Sequence, residues 1–319
     1  MVLLRSTSMR RGEGRHPQIR RAGTLLALPV ALLLAHSGVP PAIAQTRPPA
    51  RAGRGEAVEP SPPHVTSVRL YVFDCGVLKR GDPTGYGLTR SQVGSTDFSD
   101  PCYLVVHPRG TMLWDVGIIP DDQITPGGVE QPAARGTNIA TRTLRSQLKA
   151  IGYTPRNITY LAVSHGHADH VANANEYAGS TVLIQKAEWD FLFSEEQQKQ
   201  PFSANYRALK NSKTLKLDGD HDVFGDGTVV LKATPGHTPG HQSLFLKLAR
   251  TGPLVLTGDL YHYAAERTLH TFRLEDNIEQ TRASRAAIDK LLEATGAQLW
   301  IQHDILKNAT LKKSPQYYD

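Results

Sequence analysis

A chain of 319 residues, 39% hydrophobic and 21% charged, has an ordinary globular composition, with room for one large α/β domain or two small ones. The formal net charge of +6 looks basic, but arginines at 5, 10, 11, 15, 20 and 21 fall in the first 44 residues against one acid, Glu13. The remainder is nearly neutral, so bulk charge gives no support to a nucleic-acid or anionic-membrane partner.

Those arginines are followed by the apolar run Leu25 to Leu34 and then by Ala42-Ile43-Ala44. This order predicts a secretory signal peptide over residues 1–44 and an exported protein, periplasmic or secreted. The run is too short to span a bilayer and contains Pro29, so no stable membrane partner is expected after its removal. Residues 45–63, QTRPPARAGRGEAVEPSPP, lack apolar periodicity and read as a disordered linker ahead of one domain over 64–319.

From Val65 the pattern changes. Val68 to Phe73, Tyr103 to Val106 and Thr111 to Asp115 read as strands. Leu144, Leu148 and Ile151 recur at helical spacing, and Gly152 and Pro155 stop that helix. Ile158 to Val163 is an apolar strand running directly into Ser164-His165-Gly166-His167-Ala168-Asp169-His170. The second half repeats this plan: strand 229–233 leads to His237, strand 254–257 to Asp259, and strand 298–302, after a helix over 278–293, to His303. Four strand ends therefore each deliver a residue able to hold a metal, where α/β folds place their sites.

Two histidines spaced by two, with an aspartate and a third histidine on the next turn, offer imidazole and carboxylate donors that suit zinc better than calcium or magnesium. Asp218, Asp220, Asp222 and Asp226 lack the terminal glutamate of a calcium loop and read instead as a polar hairpin beside strand 229–233. Cys75 and Cys102 belong to no CxxC pattern, and their spacing leaves open whether they are two thiols or one disulfide.

The order HxHxDH at 165–170, then His237, Asp259 and His303, resembles the metallo-β-lactamase superfamily. The run TPGHTPGHQSL from Thr234 to Leu244, the turn Thr257-Gly258-Asp259 and the pair His303-Asp304 look most like the N-acyl homoserine lactonases. The resemblance implies an α+β fold, a four-layer αββα sandwich, with two zinc ions. His165, His167 and His237 would hold one, Asp169, His170 and His303 the other, and Asp259 would bridge them. Ligand types alone leave iron or mixed occupancy open.

A metal pair of this kind brings a water close to neutral pKa and polarises a carbonyl, which suits the opening of a lactone by metal-bound hydroxide. The implied substrate is an N-acyl homoserine lactone, a quorum-sensing signal that hydrolysis would silence. A periplasmic β-lactamase or a thioesterase of the glyoxalase II type would use the same site, and a non-catalytic metal-binding protein is the reading from another class.

Asp169 is expected to orient the water or carry a proton. Where the lactonases have a substrate-binding tyrosine shortly after the bridging aspartate, this chain reads Tyr261-His262-Tyr263, and any of the three can donate a hydrogen bond. His241 is expected beside the metal set and outside it. The aromatic segment holding Trp189, Phe191, Leu192, Phe193, Phe202 and Tyr206 is expected to be part core and part acyl-chain pocket. Acyl-chain preference and oligomeric state are not legible.

Overall fold

The computed structural model describes residues 62–319; the expected signal peptide and most of the linker lie outside the described residues. The chain builds a large sheet from β1 (Arg69–Lys79), β2 (Asp97–His107), β3 (Gly110–Trp114), β4 (Val129–Ala133), β5 (Gly136–Ala140), β6 (Tyr160–Ala162), β7 (Thr181–Gln185) and β8 (Thr214–Leu217), in the order β4-β5-β1-β2-β3-β6-β7-β8. A second sheet holds β9 (His221–Asp222), β10 (Val229–Ala233), β11 (Gln242–Leu248), β12 (Gly252–Leu256) and β13 (Gln298–Trp300), in the order β13-β12-β11-β10-β9. The C-terminal β14 (Tyr317–Tyr318) pairs antiparallel with β1. Both sheets are mixed, with parallel pairs at β3–β6, β6–β7, β7–β8 and β12–β13.

Period-2 alternation sorts each strand's residues onto two faces. Leu70 and Val72 of β1, Val105 of β2 and Trp114 of β3 meet Leu231, Leu244 and Leu256 of the second sheet in one buried layer. Phe73, Leu104, Leu113 and Leu161 point the other way, onto Leu144 and Leu148 of α1 (Leu144–Ala150), Val171 of α2 (Ala168–Val171) and Leu192 of α3 (Lys186–Leu192). On the far side of the second sheet Phe245 and Val255 pack with Ile288. The layers are helix, sheet, sheet, helix, the sandwich that the motif resemblance implied. Each fully buried Leu, Val or Phe contributes roughly 1.5–3 kcal/mol, so these three apolar layers carry most of the stability.

Between these elements lie the short α4 (Glu195–Gln198) and α5 (Ala264–Leu269), the long α6 (Ile278–Thr295) and α7 (Ile305–Thr310). α6 begins where the Asn277 side chain accepts from Gln280 N and ends at Gly296, whose φ of 65° is the left-handed conformation favoured by glycine. Among the described residues no helix is long and apolar enough to cross a membrane. Cys75 and Cys102 are joined in a disulfide between β1 and β2.

One expectation changes here. Leu192 and Tyr206 are fully buried, and Trp189, Phe193 and Phe202 pack on the same cluster. These five residues cover the outer face of the large sheet, and none of them lines the two cavities at the histidine groups, so the acyl-chain pocket expected of this segment is not found there. The unexpected element is the β4–β5 hairpin, which lies against the end of β1 in the register Lys79↔Thr137. Gly136 permits that approach, since a Cβ there would lie within 1.9 Å of the Lys79 carbonyl oxygen. The polar hairpin at 218–226 is as expected, with β9 paired to β10 and Asp222 accepting from Gly225 N and Gly227 N.

Candidate metal centre

All seven expected ligands converge. β6 ends two residues before Ser164, and the turn that follows presents His165 and His167, after which Asp169 and His170 sit on α2. His237 follows β10, Asp259 follows β12, and His303 follows β13. His165 Nε2 lies 2.9 Å from His167 Nδ1 and 3.1 Å from His237 Nε2, and the latter is 3.0 Å from His167 Nδ1. Three imidazole nitrogens facing one point cannot satisfy one another by hydrogen bonds, whereas a cation about 2.0–2.1 Å from each, the usual zinc–nitrogen distance, satisfies all three.

Asp169, His170 and His303 form a second group whose donor atoms lie within 4.8 Å of one another. Asp259 stands between the groups. Its Oδ2 is 3.2 Å from His237 Nε2 and 3.7 Å from His165 Nε2, while its Oδ1 is 3.2 Å from His170 Nε2 and 3.0 Å from His303 Nε2. His170 Nε2 and Asp259 Oδ1 are buried without a hydrogen-bond partner, as expected of atoms whose partner is a metal ion. The donor set fits two cations sharing one carboxylate.

Three of the histidines are aimed from behind. His170 Nδ1 meets Asp115 Oδ2 at 2.9 Å, and Asp115 is fixed in turn by Ser164 N at 2.6 Å and Gln302 Nε2 at 2.7 Å. His237 Nδ1 lies 3.0 Å from Asp276 Oδ1, and His303 Nδ1 donates to Ser99 O at 2.8 Å. Such partners fix the tautomer and leave the opposite nitrogen free for a metal. His241 accepts the Asp259 N–H on Nε2 at 2.9 Å, so the lone pair that would bind a metal is already used, and its Nδ1 faces Thr234 O at 3.0 Å. It orients the bridging aspartate, outside the metal groups.

A buried glutamate that the sequence did not mark ties the histidine loops together. Glu188 of α3 accepts from Gly166 N at 2.7 Å through Oε1, and from Thr238 Oγ1 at 2.6 Å and Gly240 N at 2.9 Å through Oε2. The glycine in His237-Thr238-Pro239-Gly240 is required here, because a Cβ would sit 2.2 Å from Glu188 N.

The electrostatics match a cation site. Burial, with the neighbouring His170, holds His165 well below its ordinary pKa, and burial with His237 brings His167 down to about 3. Their lone pairs are free at neutral pH. Burial opposes charge on Asp259 too, but His303, His170, His262 and His165 together keep its carboxyl well below the usual range. At His303 burial again opposes the charge, yet Asp259 and Asp169 outweigh it and raise the ring to about 9. A proton and a metal ion compete for that nitrogen, so a pocket that attracts one attracts the other.

The centre opens into a cleft of about 320 Å³. Leu78, Tyr86, Phe98 and Ile118 wall it, the β4–β5 hairpin contributes Arg135 and Asn138, and Arg80 and Arg273 complete the rim. A second cavity of about 350 Å³ shares His262 and His303 with the cleft and is lined by Val93, Tyr263, Ala264, Ala265, Ile305 and Leu306.

The extended backbone at Tyr261 (φ −143°, ψ 143°) separates the three candidate donors. His262 faces the centre, with Nε2 3.0 Å from Asp259 Oδ2. Tyr261 points away, its ring 4.2 Å from the Arg285 guanidinium in a separate cavity. It is therefore not brought to the cleft. Tyr263 packs among Phe98 and Tyr86 at 4.8 and 5.2 Å, and its hydroxyl is buried without a partner. Tyr86, which no motif marked, lines the cleft with its ring 4.6 Å from that of His262.

A helix-sheet-sheet-helix sandwich carrying paired His/Asp groups on its strand ends defines a metal-dependent hydrolase. The sequence pattern of the Metallo-beta-lactamase superfamily matches residues 95–295, and the chain belongs to that superfamily. It is 30% identical to an N-acyl homoserine lactonase, AttM, of Azorhizobium caulinodans over 277 residues, 80% of this chain and all of that one. It is 29% identical over 231 residues to an N-acyl homoserine lactonase of a Bacillus species, covering 68% of this chain and 85% of the relative. Among solved structures, an N-acyl homoserine lactone hydrolase with N-hexanoyl-L-homoserine at its catalytic metal center superposes with a TM-score of 0.65 at 23% identity, covering 79% of this chain and all of that chain. The dizinc quorum-quenching lactonase AidC superposes at 0.56 and 16% identity, covering 77% and 91%. These last two likenesses show the shared fold.

Proposed function

We propose that this protein is an exported, dinuclear zinc hydrolase that opens the ring of an N-acyl homoserine lactone and so silences that signal. The observation that carries the reading is Asp259, whose two carboxylate oxygens each face one of the two histidine groups. His165, His167 and His237 would hold one ion, Asp169, His170 and His303 the other, and Asp259 would serve both. Bound there, the ions supply an acidified water and an electrophilic contact for the scissile carbonyl.

The chain's own groups do the rest. Asp169 is the most exposed carboxylate of the set and lines the cleft, with Oδ1 3.8 Å from His170 Nε2 and Oδ2 3.8 Å from His303 Nε2. It orients the attacking water, takes its proton on a carboxylate oxygen and delivers it to the departing ring oxygen. His262 stands in the tyrosine's place and shapes the wall beside the carbonyl. The apolar cavity beyond His262 and His303 takes the acyl chain, in place of the aromatic segment that packs on the sheet.

The Cys75–Cys102 disulfide supports export of the domain under residues 1–44, since such bonds persist in oxidising compartments. The test is turnover of short- and long-chain acyl homoserine lactones by the zinc-loaded protein, beside a chromogenic cephalosporin and a lactoylglutathione thioester. Lactone opening that a chelator abolishes supports the reading. Lactam or thioester hydrolysis without lactone opening keeps the metal centre and replaces the substrate.

A further inference from the structure

Three arginines reach the cleft, and they are not equivalent. Arg135 and Arg273 both pair with Glu275, and Arg273 also lies 3.4 Å from Asp276 Oδ1. Arg80 pairs with no carboxylate among the described residues. One of its terminal nitrogens, Nη1, donates to two neutral oxygens, Arg135 O and Asn138 Oδ1, each at 3.1 Å. These contacts pin the guanidinium to the β4–β5 hairpin without neutralising it.

Arg80 lines the cleft together with His167, Asp169 and Asp259, and it also lines an adjoining cavity of about 500 Å³. It therefore stands where the metal centre gives way to a second space. A guanidinium with free N–H groups in a fixed orientation is the side chain best suited to a carboxylate, which it can meet with two parallel hydrogen bonds. An apolar acyl chain gains nothing from it and would desolvate it at a cost. The cavity walled by Val93, Ala265 and Ile305 takes a plain acyl chain, whereas a chain that ends in a carboxylate is directed to Arg80 on the other side of the centre.

We infer that Arg80 is a specificity-determining residue that binds a carboxylate on the substrate, remote from the scissile bond, so that the preferred lactone carries a second, anionic group. This inference rests on the lactonase reading for its substrate and on the position of Arg80 for its content.

The test compares two lactones of equal length, an N-hexanoyl homoserine lactone and its analogue with a carboxylate at the end of the acyl chain, with the zinc-loaded wild type, Arg80→Gln and Arg80→Lys. The expected kcat/KM ratio, carboxylated over plain, is tenfold or more in the wild type, intermediate in Arg80→Lys and near one in Arg80→Gln, with metal content equal in all three. A wild-type ratio of one or less, or a ratio that survives in Arg80→Gln, overturns the inference.

If neither lactone is turned over, the lactonase reading fails and binding decides the role of Arg80. Adipate should then bind the zinc-loaded wild type at least tenfold more tightly than hexanoate, with the difference lost in Arg80→Gln. Equal binding of the two acids refutes the assignment.

Discussion

Glu188 is the perturbation that separates an architectural account of the centre from a list of its ligands. It is fully buried and accepts three hydrogen bonds, one from the glycine between His165 and His167 and two from the turn after His237. In Glu188→Gln one amide oxygen replaces two acceptors. Whichever way the amide turns, its NH₂ faces a backbone N–H, either Gly166 or Gly240, and leaves it unsatisfied. An orphaned buried donor costs about 1–3 kcal/mol, offset in part because burial already pushes the carboxyl up and an amide carries no charge to desolvate.

A net loss of about 2 kcal/mol lowers Tm by roughly 4–8 °C for a domain of this size. Glu188→Ala orphans all three donors and leaves a cavity, and should cost about 4 kcal/mol or more. Thermal melting of metal-free protein isolates this effect from ligand binding. Because the same bonds set the spacing of the three histidines, competition with a chelator should show zinc affinity weakened by about 10–100-fold in Glu188→Gln. A variant melting within about 1 °C of wild type with unchanged zinc affinity would show that the histidine loops hold themselves, and would refute the argument.

The two buried side chains around the bridge should behave oppositely. Asp259→Ala removes the one carboxylate shared by both groups, and metal analysis should show both ions lost together with activity. His241→Ala orphans the Asp259 N–H at a cost of about 1–3 kcal/mol but leaves all seven ligands, so it should retain metal; loss of both ions would place His241 among the ligands. Replacing Cys75 and Cys102 by serine opens a loop of sequence separation 27, and by chain entropy this should destabilise the domain by about 3.6 kcal/mol, visible in urea unfolding with and without reductant.

The ligand set was legible because it is local: HxHxDH is six residues long, and the remaining ligands each follow a short apolar strand. What orients those ligands was not. Asp115 reaches His170 across 55 positions and Asp276 reaches His237 across 39, and before the fold is known neither differs from any other aspartate. Glu188 sits in KAEWDFL, where an acid near a helix start reads as a solvated first turn.

The aromatic segment misled for a related reason. Apolar content identifies burial but not what lies opposite, and here it is the sheet. The β4–β5 hairpin escaped notice because Val129 to Ala140 is polar and half-exposed, the pattern of a wall rather than a core strand.

The most direct measurement is a zinc titration of the metal-depleted protein, with bound metal and hydrolysis of an N-acyl homoserine lactone followed together. Lactone opening that appears with zinc and reaches its maximum at two ions per chain is the expected result. Full activity without metal, saturation at a single ion, or two bound ions with no lactone opened would contradict a dinuclear lactonase.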